Sequence, residues 1–261
     1  MQDTPVVIVT GASRGLGASI ACWLARAGSG VCLVGRNEGR LADAAEKVKG
    51  FGGIPLAVPA DVAVWEQCLG VIHKTLDRFG RIDALVNNAG IFEPLAPVAH
   101  ADPAAWRYNI QVNLLGPFYT VKAALTSLRE RHGRVVNVSS GAARHAVYGG
   151  SAYCAAKAGL THFTAVLAEE EGAVTSLAVR PGVVDTDMQL LLRREAPGVM
   201  PPDQASYYKR LKTDGLLENP DVPGRSIAWL ALQAPGGWSG QFLDYDDPRV
   251  VEPATAFFGQ K

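Results

Sequence analysis

Tyr153 and Lys157 stand four residues apart in SAYCAAKAGLTHF, a stretch otherwise made of small and apolar side chains. On a helix that spacing brings both onto one face, where the ammonium can act on the phenol or on a molecule the phenol touches. A phenol with an ordinary pKa of about 10 is a poor acid or base at neutral pH. A neighbouring cation favours its ionised form, so the pair is a candidate proton donor tuned by lysine. Small neighbours would let a ligand approach the helix closely. Taken alone, the pair also reads as one tyrosine at a packing edge and one exposed lysine, and the surrounding elements have to decide.

Those elements alternate. PVVIVT and GVCLVGR are short, β-branched runs separated by GLGASIACWLARAG, an amphipathic helix closed by Gly28. A helix through EGRLADAAEKVKG, a strand in IPLAVPADV, a helix from Trp65 to Phe79 and a strand in DALVNNAG follow. Then come a long helical region over about 104–131, the strand GRVVNVSS, the Tyr153 helix, the strand TSLAVRPG, the helix VPGRSIAWLALQA and a strand near SGQFLDY. Apolar strands alternating with helices predict an α/β domain, a parallel sheet covered on both faces with right-handed crossovers. Residues 185–215 break the rhythm with prolines, clustered charges and Tyr207–Tyr208, and read as a substrate-covering insertion or, alternatively, a surface excursion.

Composition narrows the partners. The chain has 261 residues, 48% hydrophobic, enough for one large domain core. Its 25 basic and 25 acidic residues cancel, and no basic stripe is interleaved with aromatics, which argues against nucleic acid or an anionic membrane and for a small-molecule ligand. Cys22, Cys32, Cys68 and Cys154 are scattered and read as reduced thiols. The five histidines, at 73, 100, 132, 145 and 162, lack carboxylate neighbours at ligand spacing, so no metal is expected. The opening residues read as a core strand rather than a leader, and no apolar run reaches the ~18 residues of a membrane span. The expected location is the cytoplasm.

TGASRGLG joins the first strand to the first helix with glycines at 11, 15 and 17. Such a loop turns tightly, lets backbone approach a pyrophosphate, and aims a helix N-terminus at it. At the end of the second strand, where a carboxylate would bind an adenosine ribose, Gly35 and Arg36 stand instead. Arg36 and Arg14 are placed to grip a 2′-phosphate, which favours NADPH/NADP+ over the NAD pair. The alternative is two solvated surface arginines. Asp61 could accept from the adenine amino group, and Asn88, Ala89 and Gly90 of NNAG could sit against the adenosine side; each is also ordinary turn chemistry.

In order and spacing, TGASRGLG, DV, NNAG, Asn113, VNVSS, YCAAK and RPG resemble the short-chain dehydrogenase/reductase family from about residue 5 to 245. The resemblance implies a single-domain, Rossmann-type, doubly wound parallel sheet of about seven strands over 1–261, commonly a homodimer or homotetramer. It implies a catalytic set of Asn113, Ser140, Tyr153 and Lys157. Ser140 is preferred because it stands thirteen residues before the tyrosine, with Ser139 as the alternative. In such a set Ser140 would donate to a substrate oxygen and Asn113, loosening its helix, would hold a water linking Lys157 to solvent. Cofactor contacts are implied for Gly11, Ser13, Arg14, Gly15, Leu16 and Gly17, for Arg36, Asp61 and Val62, and for Asn88, Ala89 and Gly90. Tyr153 and Lys157 join them, with Pro181, Gly182 and Val184 near the nicotinamide and Thr186 on its carboxamide. His145 and Tyr148 precede the catalytic helix in the expected substrate pocket, or are loop filler.

RPGVVDTDMQLLLRRE and SGQFLDYDDPRV are similar, more narrowly, to NADPH-dependent carbonyl reductases of the benzil and sepiapterin reductase kind. That implies reduction of an aromatic or vicinal diketone such as benzil. An NADP-dependent sugar, steroid or polyol dehydrogenase is the reverse-direction alternative, and a non-catalytic NADP(H)-binding sensor or scaffold is the alternative of another class.

Overall fold

The computed structural model describes residues 4–259. Residues 1–3 and 260–261, part of the domain expected over 1–261, lie outside the described residues. Strands β1 (Val6–Thr10), β2 (Gly30–Gly35), β3 (Ile54–Pro59), β4 (Ala84–Asn87), β5 (Arg134–Val138), β6 (Thr175–Arg180) and β7 (Phe242–Asp244) form one sheet in the order β3-β2-β1-β4-β5-β6-β7. Every pairing is parallel. This is the Rossmann-type doubly wound α/β architecture.

Side chains of a strand alternate between faces, and β1 divides accordingly. Val7 and Val9 join a core with Leu24 of α1 (Gly15–Arg26) and Ile227 of α9 (Asp221–Gln233), and Leu41 of α2 (Glu38–Gly50) completes that layer. Ile8 joins the opposite core with Ile72 of α3 (Trp65–Phe79), Leu128 of α5 (Gly116–Glu130) and Leu167 of α6 (Ser151–Glu170). Pro55 and Pro59 lie in β3, an edge strand, where a missing N–H breaks no ladder between neighbours. The strand order reverses between β1 and β4, so their connections leave to opposite faces and open a crevice at the carboxyl ends.

A buried polar chain crosses the middle of the sheet. Thr120 Oγ1 donates to Asn87 Oδ1 at 2.7 Å, Asn87 Nδ2 to Asn137 Oδ1 at 2.9 Å, and Asn137 Nδ2 to Thr164 Oγ1 at 2.9 Å. Asn87 and Asn137 are register partners in β4 and β5. The chain links α5, β4, β5 and α6 and satisfies each amide without water.

Three features differ from the sequence expectation. The long helix over 104–131 is divided into α4 (Pro103–Ile110), a π turn over Gln111–Leu115, and α5. Pro117 has no N–H to give the carbonyl of Asn113, and Gly116 N–H reaches back to Gln111 instead, which widens the turn. The 185–215 insertion, to which no element was assigned, is mostly helical, α7 (Asp187–Glu195) and α8 (Pro202–Thr213). A closing helix, α10 (Pro248–Gly259), was not anticipated because Pro253 interrupts its pattern. Its Val250, Ala254 and Phe258 recur every fourth residue and bury against the first core, Phe258 meeting Trp23 at 5.1 Å between ring centroids.

Asn137→Ala strips Asn87 Nδ2 of its acceptor in a dry site, an orphaned donor worth about 1–3 kcal/mol. Urea unfolding of that variant is expected to show a loss of this size; unchanged stability would mean that the polar chain contributes nothing.

Candidate active site

The loop between β1 and α1 is shaped by glycine where a side chain has no room. Gly11 has φ +67°, and a Cβ on Gly17 would stand 2.3 Å from the Gly11 carbonyl oxygen. The NNAG segment braces the loop from behind. Asn88 Nδ2 donates to the Thr10 carbonyl at 2.9 Å, and Thr10 Oγ1 accepts from the backbone N–H groups of Asn88 and Ala89, each at 3.0 Å. Asn88 thus holds the loop with its side chain. No side chain caps the N-terminus of α1 and no acid lies in its first turn, so its N–H groups remain available to an anion.

A cleft of about 550 Å³ runs from this loop across the carboxyl ends of the strands. It gathers Gly11, Ser13, Arg14, Gly15, Leu16 and Gly17, then Arg36, Asp61, Val62, Asn88, Ala89 and Gly90. At its other end lie Ser140, His145, Tyr153 and Lys157, with Pro181, Gly182, Val184 and Thr186 on the side of β6. Glycine cradle, uncapped helix and cations together fit a dinucleotide phosphate.

The cations are occupied. Arg14 pairs with Asp187, the first residue of α7, both side chains more than half exposed. Arg36 Nη1 donates to Tyr108 Oη at 3.0 Å, and Tyr108 Oη donates to Asp61 Oδ2 at 3.0 Å. The other Asp61 oxygen accepts from Ala63 N–H at 2.9 Å. Both carboxylate oxygens, expected at an adenine, are therefore engaged within the protein. Tyr108, on α4, was missed by sequence reading, since nothing local distinguishes it from any helical tyrosine. Burial and the Asp61 carboxylate push its pKa up.

The two serine candidates separate by direction. Ser139 is buried and turned toward α6, where its Oγ lies 2.7 Å from Thr161 Oγ1 and 3.3 Å from the Lys157 carbonyl. Ser140 caps the short turn over Gly141–Ala143, accepting from Ala142 N–H at 3.1 Å, and hydrogen-bonds with Tyr153. Geometry favours Ser140.

Tyr153 and Lys157 are both buried on α6, the ammonium 5.7 Å from the phenol ring centre. Lys157 Nζ donates to the Val138 carbonyl at 2.8 Å, at the end of β5. The expected depression of the phenol by lysine is corrected here. Burial pushes Tyr153 up to about 12, Ser140 pulling it back in part, and the lysine is absent from the causes. Burial likewise lowers Lys157 to about 8. Desolvation outweighs the pair's mutual effect.

Asn113 does not reach the cleft wall. It is fully buried in the π turn, its Nδ2 2.8 Å from the Ile91 carbonyl and 2.9 Å from Asn109 Oδ1. Asn109 Nδ2 reaches the Ile91, Phe92 and Glu93 carbonyls at 3.2, 3.1 and 2.7 Å. Gly90 separates Asn113 from Lys157: a Cβ there would stand 2.8 Å from Asn113 Oδ1 and 3.7 Å from Lys157 Nζ. His145 is exposed at the cleft, but Tyr148, expected there, is 42% exposed and does not line it: the loop before α6 turns its ring to solvent. The cleft gains walls that sequence reading did not assign: Phe92, whose ring stands 4.9 Å from that of Tyr153, with Val147, Met188, Leu192, Tyr207 and Tyr208. Among the described residues, no group of three or more His, Cys, Asp or Glu could hold a metal ion, and no helix is long and apolar enough to cross a membrane.

The sequence profile described as short chain dehydrogenase matches residues 5–196. An uncharacterized oxidoreductase of Saccharomyces cerevisiae is 36% identical over 251 residues, 95% of this chain and 98% of that one. The crystal structure of the KRED1-Pglu enzyme superposes with a TM-score of 0.87 at 38% identity, covering 92% of this chain and 100% of the other. A variant of the actinorhodin polyketide ketoreductase, solved with NADPH, does so with a TM-score of 0.84 at 26% identity, covering 94% and 96%.

The two buried titrations predict a pH signature. Between about 8 and the ordinary lysine value of 10.5 the unfolded chain holds more protons at residue 157, so the contribution of that residue to stability rises with pH there. The buried thiols Cys32 and Cys68 from about pH 9, and the Tyr153 phenol from about pH 10, act in the opposite sense, since the folded chain then holds more protons at each. In urea unfolding at several pH values, wild type is expected to gain on Lys157→Met from about pH 8 upward; a difference that stays flat would contradict the buried ammonium.

Proposed function

The chain belongs to the short chain dehydrogenase family and is an oxidoreductase; from that premise we propose an NADPH-dependent reductase of ketones, acting on an aromatic or vicinal diketone such as benzil. The carrying observation is the convergence of Ser140, Tyr153 and Lys157 on one end of a cleft whose other end is a glycine cradle flanked by Arg14 and Arg36. NADPH, when bound, supplies the hydride to the carbonyl carbon. The protein supplies the rest. Ser140 and Tyr153 donate to the carbonyl oxygen, and as negative charge develops there the Tyr153 proton passes to it, leaving a phenolate. The Lys157 ammonium, fixed by the Val138 carbonyl, stands close enough to stabilise that phenolate.

Burial holds Tyr153 in its protonated form through the neutral range. That suits reduction, which needs an acid, better than the alternative of alcohol oxidation on a sugar, steroid or polyol, which needs the phenolate as base. A non-catalytic sensor would have no use for a buried lysine and tyrosine on the cleft. The NADPH preference rests on two arginines at the ribose end with no carboxylate closing β2, and the polyketide ketoreductase crystallised with NADPH supports it. The aromatic and aliphatic walls favour a flat, apolar substrate. Self-association as a homodimer is supported by an apolar face on α5 and α6, where Phe118 and Val166 are 40% and 39% exposed.

Tyr153→Phe removes a proton donor and no phosphate contact. It is expected to lower kcat by at least about a thousandfold, the scale of general acid catalysis, with NADPH affinity by fluorescence titration within a few-fold of wild type; substantial residual turnover would dismiss the assigned acid. Arg36→Asp reads the phosphate end by binding alone. Titration should show NADPH weakened by one to two orders of magnitude, roughly one charge-assisted pair, and NADH little changed, whereas equal losses would remove the arginine from the phosphate site.

A further inference from the structure

The helix that covers the cleft carries a hydroxyl with no partner of its own. In α8, Ala205, Tyr208 and Leu211 are spaced by three and turn inward, Ala205 and Leu211 buried and Tyr208 half-buried. Tyr208 packs on the cluster that holds Phe92, Tyr153, Leu192 and Met200, so it belongs to the catalytic end of the cleft and not to the glycine cradle. A tyrosine in such a place ordinarily bonds its hydroxyl to something. Among the described residues nothing donates to or accepts from Tyr208 Oη, and the oxygen is not sealed from the cleft. Burial first, and then the neighbouring Tyr207, push its pKa up to about 12, so it remains a donor at any working pH.

Ser140 and Tyr153 already account for one carbonyl oxygen. A mono-ketone has no further acceptor to offer the Tyr208 hydroxyl, whereas a vicinal dicarbonyl brings a second one on the adjacent carbon. Sites built to hydrogen-bond a polar group discriminate against analogues that lack it far more strongly than apolar pockets discriminate by size. We propose that Tyr208 is a specificity-determining residue whose hydroxyl donates to the second carbonyl oxygen of a vicinal dicarbonyl substrate, selecting it over the mono-ketone of the same shape. The assignment rests on the diketone reading above and names the group that carries it.

The test compares benzil with deoxybenzoin, which keeps both phenyl rings and loses one carbonyl. Steady-state kinetics at saturating NADPH are measured for wild type, Tyr208→Phe and Tyr208→Met, the last retaining apolar bulk without a ring. Tyr208→Phe is expected to lose about tenfold in kcat/KM with benzil and less than about twofold with deoxybenzoin, and Tyr208→Met to lose more with benzil than with deoxybenzoin, the deoxybenzoin rate doubling as evidence of a folded site. Equal losses on the two ketones would reduce Tyr208 to a shape-filling residue and overturn this assignment alone. No benzil turnover by wild type would overturn the diketone reading and this assignment together.

Discussion

A charged amine enclosed by protein and tied to one carbonyl is the constraint around which the catalytic end is arranged. Lys157 donates a hydrogen bond to the Val138 carbonyl at 2.8 Å, at the last residue of β5. Enclosing an ammonium is costly unless it is hydrogen-bonded. The bond therefore fixes α6 against the end of β5, and with it the distance between Tyr153 on the helix and Ser140 just beyond the strand. The chain Thr120–Asn87–Asn137–Thr164 makes the same two elements register from beneath. Structural polarity and chemical polarity thus share a single seam across β4, β5 and α6.

That enclosure also sets the resting protonation of the pair. The same dry surroundings that weaken the lysine's hold on its proton strengthen the tyrosine's hold, so the order of their affinities is inverted, about 8 against about 12. In the proposed reduction, a negative oxygen forming beside the phenol would meet a donor that is present at neutral pH and a cation placed to stabilise the charge left behind.

Much of the architecture was legible because periodicity carries it. All seven strands were visible in the alternation of strands with helices, β1 and β2 as β-branched runs, and the glycine loop was identifiable from its position between β1 and α1 as much as from its spacing. Asn113 was readable as the residue that disturbs a helix, but the disturbance itself depends on Pro117 and on Val62 pressing at Gly116, contacts remote from any local pattern. Proline concealed α10 while its fourth-residue apolar spacing remained in view. The residues missed at the site share one cause: Tyr108 on its helix and Phe92 in its loop line the cleft through the way distant elements pack, and no local pattern records that. Tyr148 shows the converse, since it is exposed although it lies five residues before Tyr153.

The two walls of the cleft are built to different standards. One is riveted: Asn109 and Asn113 grip the backbone of residues 91–93 with buried amides, so the loop bearing Phe92 and the fault in the helix are parts of one rigid piece. The opposite wall, α7 and α8, is moored at its rim by Arg14 to Asp187 and Lys212 to Asp185, pairs in open solvent that are worth under about 1 kcal/mol each. The first wall therefore keeps its shape through its own buried backbone bonds, whereas the rim of the second is held by charges that dissolved salt screens.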